Sequence, residues 1–172
     1  MDFTYDDNQQ MLFDSVDRFL TDKHGLTQRH KLNEDPAAQR AFWKELAELG
    51  LIGAAFPESA GGFGASPVDA MVVLERLGRH LVTAPYLVSA ILCGRLLIEA
   101  GREDLIAEAI AGEKQFALAA GSTHALRSPQ DHSFTAERSG NGFVLSGRMP
   151  VVIGGDSADM FLIAARTSGS IG

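Results

Sequence analysis

Residues able to do chemistry are few in this chain, and their spacing narrows what each could do. Val152-Ile153-Gly154-Gly155-Asp156-Ser157 reads as a strand running into a tight glycine turn that presents a serine, the geometry of a nucleophilic hydroxyl. A hydrolytic triad also needs an acid and a histidine. Only 15 residues follow Ser157 and none is His, which argues against a serine hydrolase. Gly61-Gly62-Phe63-Gly64 has the glycine density of a phosphate loop, but no strand precedes it and it joins two helices, so it reads as an interhelix turn. His24, His30, His80, His124 and His132 show no i, i+4 pairing and no cysteine partner, so they read as surface or core histidines and no metal site is expected. Glu75 and Arg76 either line a channel or form an ion-paired helix face, and Tyr86, Leu87 and Ile91 either wall an apolar pocket or pack a core.

The elements that position these groups are legible from capping and periodicity. Asp6 with Gln9 forms a capping box for a helix from Asp6 to about Asp22, with Met11, Leu12, Val16, Phe19 and Leu20 on its apolar side. Asp35 caps a second helix with Pro36 at its first position, and Phe42, Trp43, Leu46 and Leu49 form its apolar face up to Gly50. Ser66, Pro67 and Asp69 repeat that start signal for a helix carrying Val68, Met71, Val72, Leu74 and Leu77. Ala84 to Ala100 is apolar nearly all round, which predicts a central helix covered on most sides and closed by Gly101. A shorter helix, Arg102 to Ala111, ends at Gly112. Beyond it the period falls from about 3.6 to about 2. Strands are predicted over Gln115–Ala120, Ser133–Arg138, Gly142–Arg148, Pro150–Ile153 and Met160–Ala165, with a tight hairpin at Ser139-Gly140-Asn141-Gly142. The expected fold class is therefore α+β, with an all-α helical domain over residues 1–112 and a partial antiparallel β domain over 113–172.

Composition bounds the partners. The 172 residues are 45% apolar and 22% charged, with a net charge of −7 and no Lys/Arg cluster, which argues against nucleic acid and anionic membranes. Cys93 is the only cysteine, the N-terminus lacks a secretory signal, and the apolar run Leu81–Ala100 contains Arg95 and Glu99, so a cytoplasmic location and no membrane span are expected. The chain ends soon after a strand, leaving a short sheet with little to cover it. An uncovered apolar face and an open sheet edge imply an oligomer, a partner chain or a missing C-terminal part.

Three blocks together carry a family resemblance. Trp43-Lys44-Glu45-Leu46-Ala47-Glu48-Leu49-Gly50, the Pro57-Glu58-Ser59-Ala60-Gly61-Gly62-Phe63-Gly64 loop and Glu75-Arg76-Leu77-Gly78-Arg79 resemble the N-terminal domain of the acyl-CoA dehydrogenases. The hairpin Gly140-Asn141-Gly142-Phe143-Val144-Leu145-Ser146-Gly147 and the Ala158-Asp159 pair extend the resemblance over the whole chain. Within that family the chain is similar to the pimeloyl-CoA dehydrogenase small subunits, members of heteromeric enzymes.

The resemblance implies a FAD-dependent oxidation of an acyl-CoA to its trans-2-enoyl-CoA, in a homo- or hetero-oligomer that passes electrons to an acceptor flavoprotein. Its catalytic glutamate would lie in a C-terminal helical domain absent from this chain or in a partner, so no catalytic residue is assigned here. The family's Thr-Glu pair, which contacts the flavin pyrimidine edge, falls on Thr123, with His124 in place of the acid. Ser122 and Thr123 are thus the candidate cofactor-binding residues, a strand-end hydroxyl being able to donate to a flavin carbonyl; satisfaction of a turn is the alternative reading. Val151-Val152-Ile153 stands where the family places an aromatic and a hydroxyl against the flavin, and the glycine-serine-aspartate run after the Thr-Glu pair is also missing. These departures favour an alternative role, a non-catalytic structural or regulatory subunit that pairs with an active dehydrogenase chain.

Overall fold

Capping chemistry sets where the helices begin. A computed structural model describes residues 4–64, 66–120 and 134–167. Helix α1 (Asp7–Lys23) starts at Asp6, whose side chain accepts from Gln9 N while the Gln9 side chain reciprocates, the expected capping box. α2 (Leu26–Glu34) is a short, largely polar helix that the sequence pattern did not single out. α3 (Pro36–Glu48) begins with the Asp35 carboxylate accepting from Ala37 N and with Pro36 in its first turn. Gly50 then turns the chain at φ 85° into the single turn α4 (Leu51–Ala54). The 57–64 loop follows as an interhelix turn. A Cβ on Gly62 would lie 2.2 Å from the Phe56 carbonyl oxygen, so only glycine fits there. α5 (Pro67–Arg79) opens at the predicted Ser66 start, where Ser66 and Asp69 form a capping box.

The helices share one core. Val16 and Leu20 of α1, Phe42, Trp43 and Leu46 of α3, Ile52, Phe56, and Val73 and Leu77 of α5 are all buried in it. Met11, Val68 and Met71, expected on apolar faces, are exposed instead. The two helices meet through Arg76, which is buried with its guanidinium 4.1 Å from the Phe13 ring centroid and within ion-pair distance of Asp17 and Glu75. That contact fixes the rotation of α5 on α1, and Glu75 and Arg76 are ion-paired, not free to line a channel.

The predicted central helix forms over residues 86–99, but it departs from expectation twice. Leu87–Cys93 is π-helical, and α6 (Gly94–Glu99) continues it. It is also not covered on most sides: Ser89, Ala90, Cys93 and Leu97 are buried, while Leu87, Leu92 and Leu96 lie exposed. The apolar composition was therefore a sign of two apolar surfaces, one of them uncovered in this chain. Tyr86 belongs to the core, its hydroxyl donating to the Leu51 carbonyl at 2.8 Å. α7 (Glu103–Ile110) follows, entered through Gly101 and left through Gly112, both at positive φ.

The β region is mixed, not antiparallel throughout. β1 (Phe116–Ala119) pairs in parallel with β4 (Met160–Ile163), Phe116 opposite Met160. β2 (Phe134–Ser139) and β3 (Gly142–Gly147) form the predicted antiparallel hairpin, with Gly140 at φ 58° in its two-residue turn. β2 also pairs in parallel with β5 (Ala165–Arg166). Parallel pairing needs a long connection, and the segment between β1 and β4, which contains the whole hairpin, supplies it. The predicted strand Met160–Ala165 is thus two strands serving different sheets, divided at Ala164. The predicted strand Pro150–Ile153 is a turn, because Gly154 at φ 72° and the bond from Gly155 N to Val152 O fold the chain back.

Two stability measurements check this account. Ser89 Oγ accepts from the buried Phe116 N–H at 2.9 Å, joining the π-helical segment to β1. Ser89→Ala leaves that donor unpaired and lowers unfolding free energy by about 1–3 kcal/mol in urea denaturation. Leu81, at φ 56°, sits where α5 ends, with Leu81 N bonding to Gly78 O and Val82 N to Leu77 O, the left-handed position that glycine usually fills. Its side chain is exposed, so Leu81→Gly sacrifices little packing and raises stability by about 0.5–1 kcal/mol in the same assay.

Candidate functional site

A groove of about 340 Å³ runs along the junction between the helical body and the β region. Its apolar wall is formed by Leu32, Phe42, Val82, Pro85 and Ile153. Its polar groups are His24, Asn33, Gln39, Thr83, Gln115 and Ser157, with Asp156 beside them. Each arrives for a local reason. The Asp35 cap and Pro36 start α3 so that Gln39 and Phe42 fall one above the other, a helical turn apart on one face. The left-handed exit at Leu81 directs residues 82–85 along the groove. The 152–157 turn closes its far side, and a Cβ at Gly154 would lie 2.7 Å from Pro85 Cβ, so glycine permits the approach.

The β side is fastened to the helices by one carboxylate. Arg40 Nη1 and Nη2 donate to Asp159 Oδ2 and Oδ1 at 2.6 and 2.7 Å, a bidentate pair, and Gln115 N donates to Asp159 Oδ2 at 2.8 Å. Asp159 N returns a bond to Gln115 O at 2.9 Å. The Arg40 guanidinium, then the Gln115 N–H, hold the Asp159 carboxyl below the usual carboxylate range.

Titratable groups nearby have distinct states. His24 is 5% exposed, and its ring lies 5.2 Å from that of Phe42, centroid to centroid. Neither of its nitrogens has a hydrogen-bond partner of good geometry among the described residues. Burial pushes its pKa down, which the Leu81 backbone opposes in part, so the imidazole is neutral at pH 7. Burial also raises the Cys93 thiol to about 11, which keeps it protonated and unreactive. At the α1–α5 contact, His80 Nε2 lies 2.9 Å from Asp17 Oδ1, and this bond, then Arg76, lowers the Asp17 pKa. Tyr5 Oη donates to Glu75 at 2.9 Å and is the first cause of the lowered Glu75 pKa.

The sequence-derived candidates fare unequally. Ser122 and Thr123 lie outside the described residues, as does His124. Val151 and Ile153 are 73% and 69% exposed. Their aliphatic side chains suit the apolar face of a flavin ring but offer no donor to it. The described residues therefore fit FAD only in part. Ser157 Oγ donates to the Gly154 carbonyl at 3.4 Å, a turn contact in place of a nucleophile's bond to a base. Among the described residues no cluster of His, Cys, Asp and Glu is arranged to hold a metal ion. Sequence reasoning placed His24 among the surface or core histidines, and the structure buries it; Arg40 was not singled out. Arg40 carried no local signal, because its partner Asp159 lies 119 positions away.

Comparison with known proteins gives a consistent answer. The family model described as "Acyl-CoA dehydrogenase, N-terminal domain" matches residues 6–112. The chain is 28% identical to benzylmalonyl-CoA dehydrogenase of Aromatoleum aromaticum over 96% of its length and 45% of the relative's. It is 30% identical to acyl-CoA dehydrogenase FadE27 of Mycobacterium tuberculosis over 97% of its length and 45% of the relative's. It thus spans somewhat under half the length of these relatives. Among solved structures, the ChsE4–ChsE5 complex of Mycobacterium tuberculosis matches with a TM-score of 0.81 and 27% identity, over 99% of this chain and 47% of that one. An acyl-CoA dehydrogenase complexed with FAD from Bacillus anthracis has the same fold, with a TM-score of 0.83 at 20% identity, over 96% of this chain and 30% of that one.

The Asp159 clamp makes an acid-sensitive prediction. A carboxyl whose folded pKa is depressed contributes stability above its unfolded pKa, and that contribution is lost as pH falls through the folded value. Native stability, followed by Trp43 fluorescence in urea, therefore declines below about pH 4. Asp159→Asn costs about 1 kcal/mol at pH 7, allowing for the half-exposed guanidinium, and shows a shallower decline between pH 5 and pH 2.

Proposed function

Because the chain belongs to the acyl-CoA dehydrogenase family, we propose that it is a subunit or N-terminal portion of a FAD-dependent enzyme that oxidises an acyl-CoA to the trans-2-enoyl-CoA. The observation that carries this reading is the match of nearly the whole chain, helices and strands together, to acyl-CoA dehydrogenase structures at more than 25% identity. In this reading residues 1–112 form the helical domain, and 113–172 open the β domain. A bound FAD would supply the hydride-accepting chemistry. This chain contributes the helical wall, the groove and the first strands, with Ser122 and Thr123 as donors toward the flavin edge. Removal of the α-proton needs a carboxylate base beside a carbon acid whose anion is stabilised at the thioester oxygen. That base is assigned to a C-terminal domain or a partner.

Exposed apolar surface supports an assembly. Leu87, Leu92 and Leu96 on the central helix, Phe143, Val144 and Leu145 on β3, and Phe161 on β4 are all open in the single chain. Further dehydrogenase chains, identical or different, would cover them, and an acceptor flavoprotein would take the electrons from the complete enzyme. Among the described residues no helix is long and apolar enough to cross a membrane, and a cytoplasmic location is proposed.

A second reading rests on Val151-Val152-Ile153, which supplies neither ring nor hydroxyl: the chain is a non-catalytic structural or regulatory subunit paired with an active dehydrogenase. Visible absorbance of the purified chain with added FAD, alone and co-expressed with dehydrogenase subunits, separates the two. A one-to-one complex with the chain alone supports cofactor binding through its own residues. Stoichiometric flavin only in the co-purified complex favours the partner-subunit reading, and no flavin in either overturns the dehydrogenase assignment.

A further inference from the structure

Arg29 differs from the other arginines that leave solvent. Among the described residues Arg29, Arg40 and Arg76 are partly or wholly buried, and two of them hold carboxylates: Arg40 grips Asp159, and Arg76 pairs with Asp17 and Glu75. Arg29 makes no hydrogen bond or ion pair with any described residue. Its Nε is sealed from solvent, while Nη1 and Nη2 keep accessible surface. A guanidinium in that position has given up hydration without gaining an anion, which costs stability. Arg29 lines a hollow of about 300 Å³ between α2 and the exit of α5, at the lower end of the roughly 300–1,000 Å³ of small-molecule sites. Leu26, Arg29, His30 and Asn33 recur at helical spacing, so one face of α2 makes one wall, and Leu81 and Thr83 make the other. In a chain of net charge −7, no described Asp or Glu lines it. Leu26 and Leu81 are 65% and 66% exposed there, and Leu81 keeps its side chain at φ 56°, where glycine costs less.

We propose that this hollow binds a carboxylate anion carried on a short hydrocarbon body, with Arg29 Nη1 and Nη2 as its donors. With Nε sealed, the edge formed by the two Nη groups is the one presented, and a carboxylate meets it with two parallel charge-assisted bonds. The anion then supplies what Asp159 supplies to Arg40 within the chain. Leu26 and Leu81 flank the hydrocarbon, and Asn33 and Thr83 give the hollow its neutral polar rim. An alcohol with the same body leaves the guanidinium uncompensated. A phosphate dianion calls for more donors than one fork offers, so the single arginine suits the planar monoanion. The inference stands on the hollow alone and needs neither a flavin nor the acyl-CoA reading.

Three probes that share a hexyl body test it on the intact chain: hexanoate, 1-hexanol and hexyl phosphate, titrated while the ¹⁵N-labelled Arg29 side chain and the backbone amides are followed by NMR. Hexanoate is expected to bind about five- to thirtyfold more tightly than 1-hexanol, the worth of one charge-assisted pair discounted for solvent, and to shift the Arg29 Nε–H resonance. Arg29→Met keeps the stem, abolishes the preference for hexanoate and leaves the melting temperature unchanged or higher, because an unpaired, partly desolvated charge has been removed. Arg29→Lys keeps the charge and loses the fork, which cuts the preference severalfold and controls for a folding defect in the methionine variant. Leu81→Gly weakens hexanoate about two- to fivefold and leaves acetate unaffected, as expected of a side chain that touches only the hydrocarbon. Equal binding of hexanoate and 1-hexanol, tightest binding by hexyl phosphate, or a preference that survives in Arg29→Met overturns the proposal.

Discussion

Asp159 is the residue through which strands and helices become one body. A carboxylate at the start of β4 holds the guanidinium of Arg40 on α3 in a bidentate grip and accepts the N–H of Gln115 just before β1. One side chain thereby registers two parallel strands on each other and on the helical core. Parallel strands have no tight turn to set their alignment, so the alignment must come from elsewhere. Here a charge-assisted fork with a preferred geometry supplies it. The Ser89 bond to Phe116 N adds a second fastening from the central helix to the same strand, and Phe116 is fully buried between them.

The groove follows from that fastening. With β1 and β4 fixed, the 152–157 turn is carried against Pro85, and the missing Cβ of Gly154 lets it close. The remaining walls come from α2, α3 and the left-handed turn at Leu81. Glycine is the usual occupant of such a helix exit, and leucine accepts strain there while its side chain stays in solvent. Leu81 borders the hollow beside this groove, and the buried His24 ring lies against its backbone.

The central helix shows how composition can mislead. Ala84 to Ala100 is apolar on nearly every side, which ordinarily means burial on every side. In this chain one face packs on Phe56 and β1, while Leu87, Leu92 and Leu96 remain open. An apolar residue records that its environment excludes water somewhere, but not which molecule does the excluding.

The sequence by itself determined the helix starts at Asp6, Asp35 and Ser66, the glycine exits, the Gly140-Asn141 hairpin, the α+β order and the family, because these rest on short-range hydrogen bonding, φ preferences and local motifs that contiguous residues encode. Tertiary structure alone decided the parallel pairing of β1 with β4, the split of Met160–Ala165 between two sheets, the turn at 150–153, the uncovered face of the central helix and the groove around His24. Each of these depends on which distant surfaces meet. Arg40 and Asp159 are 119 positions apart. Nothing in the neighbourhood of either residue encodes the partner; the packed core that brings α3 beside β4 does.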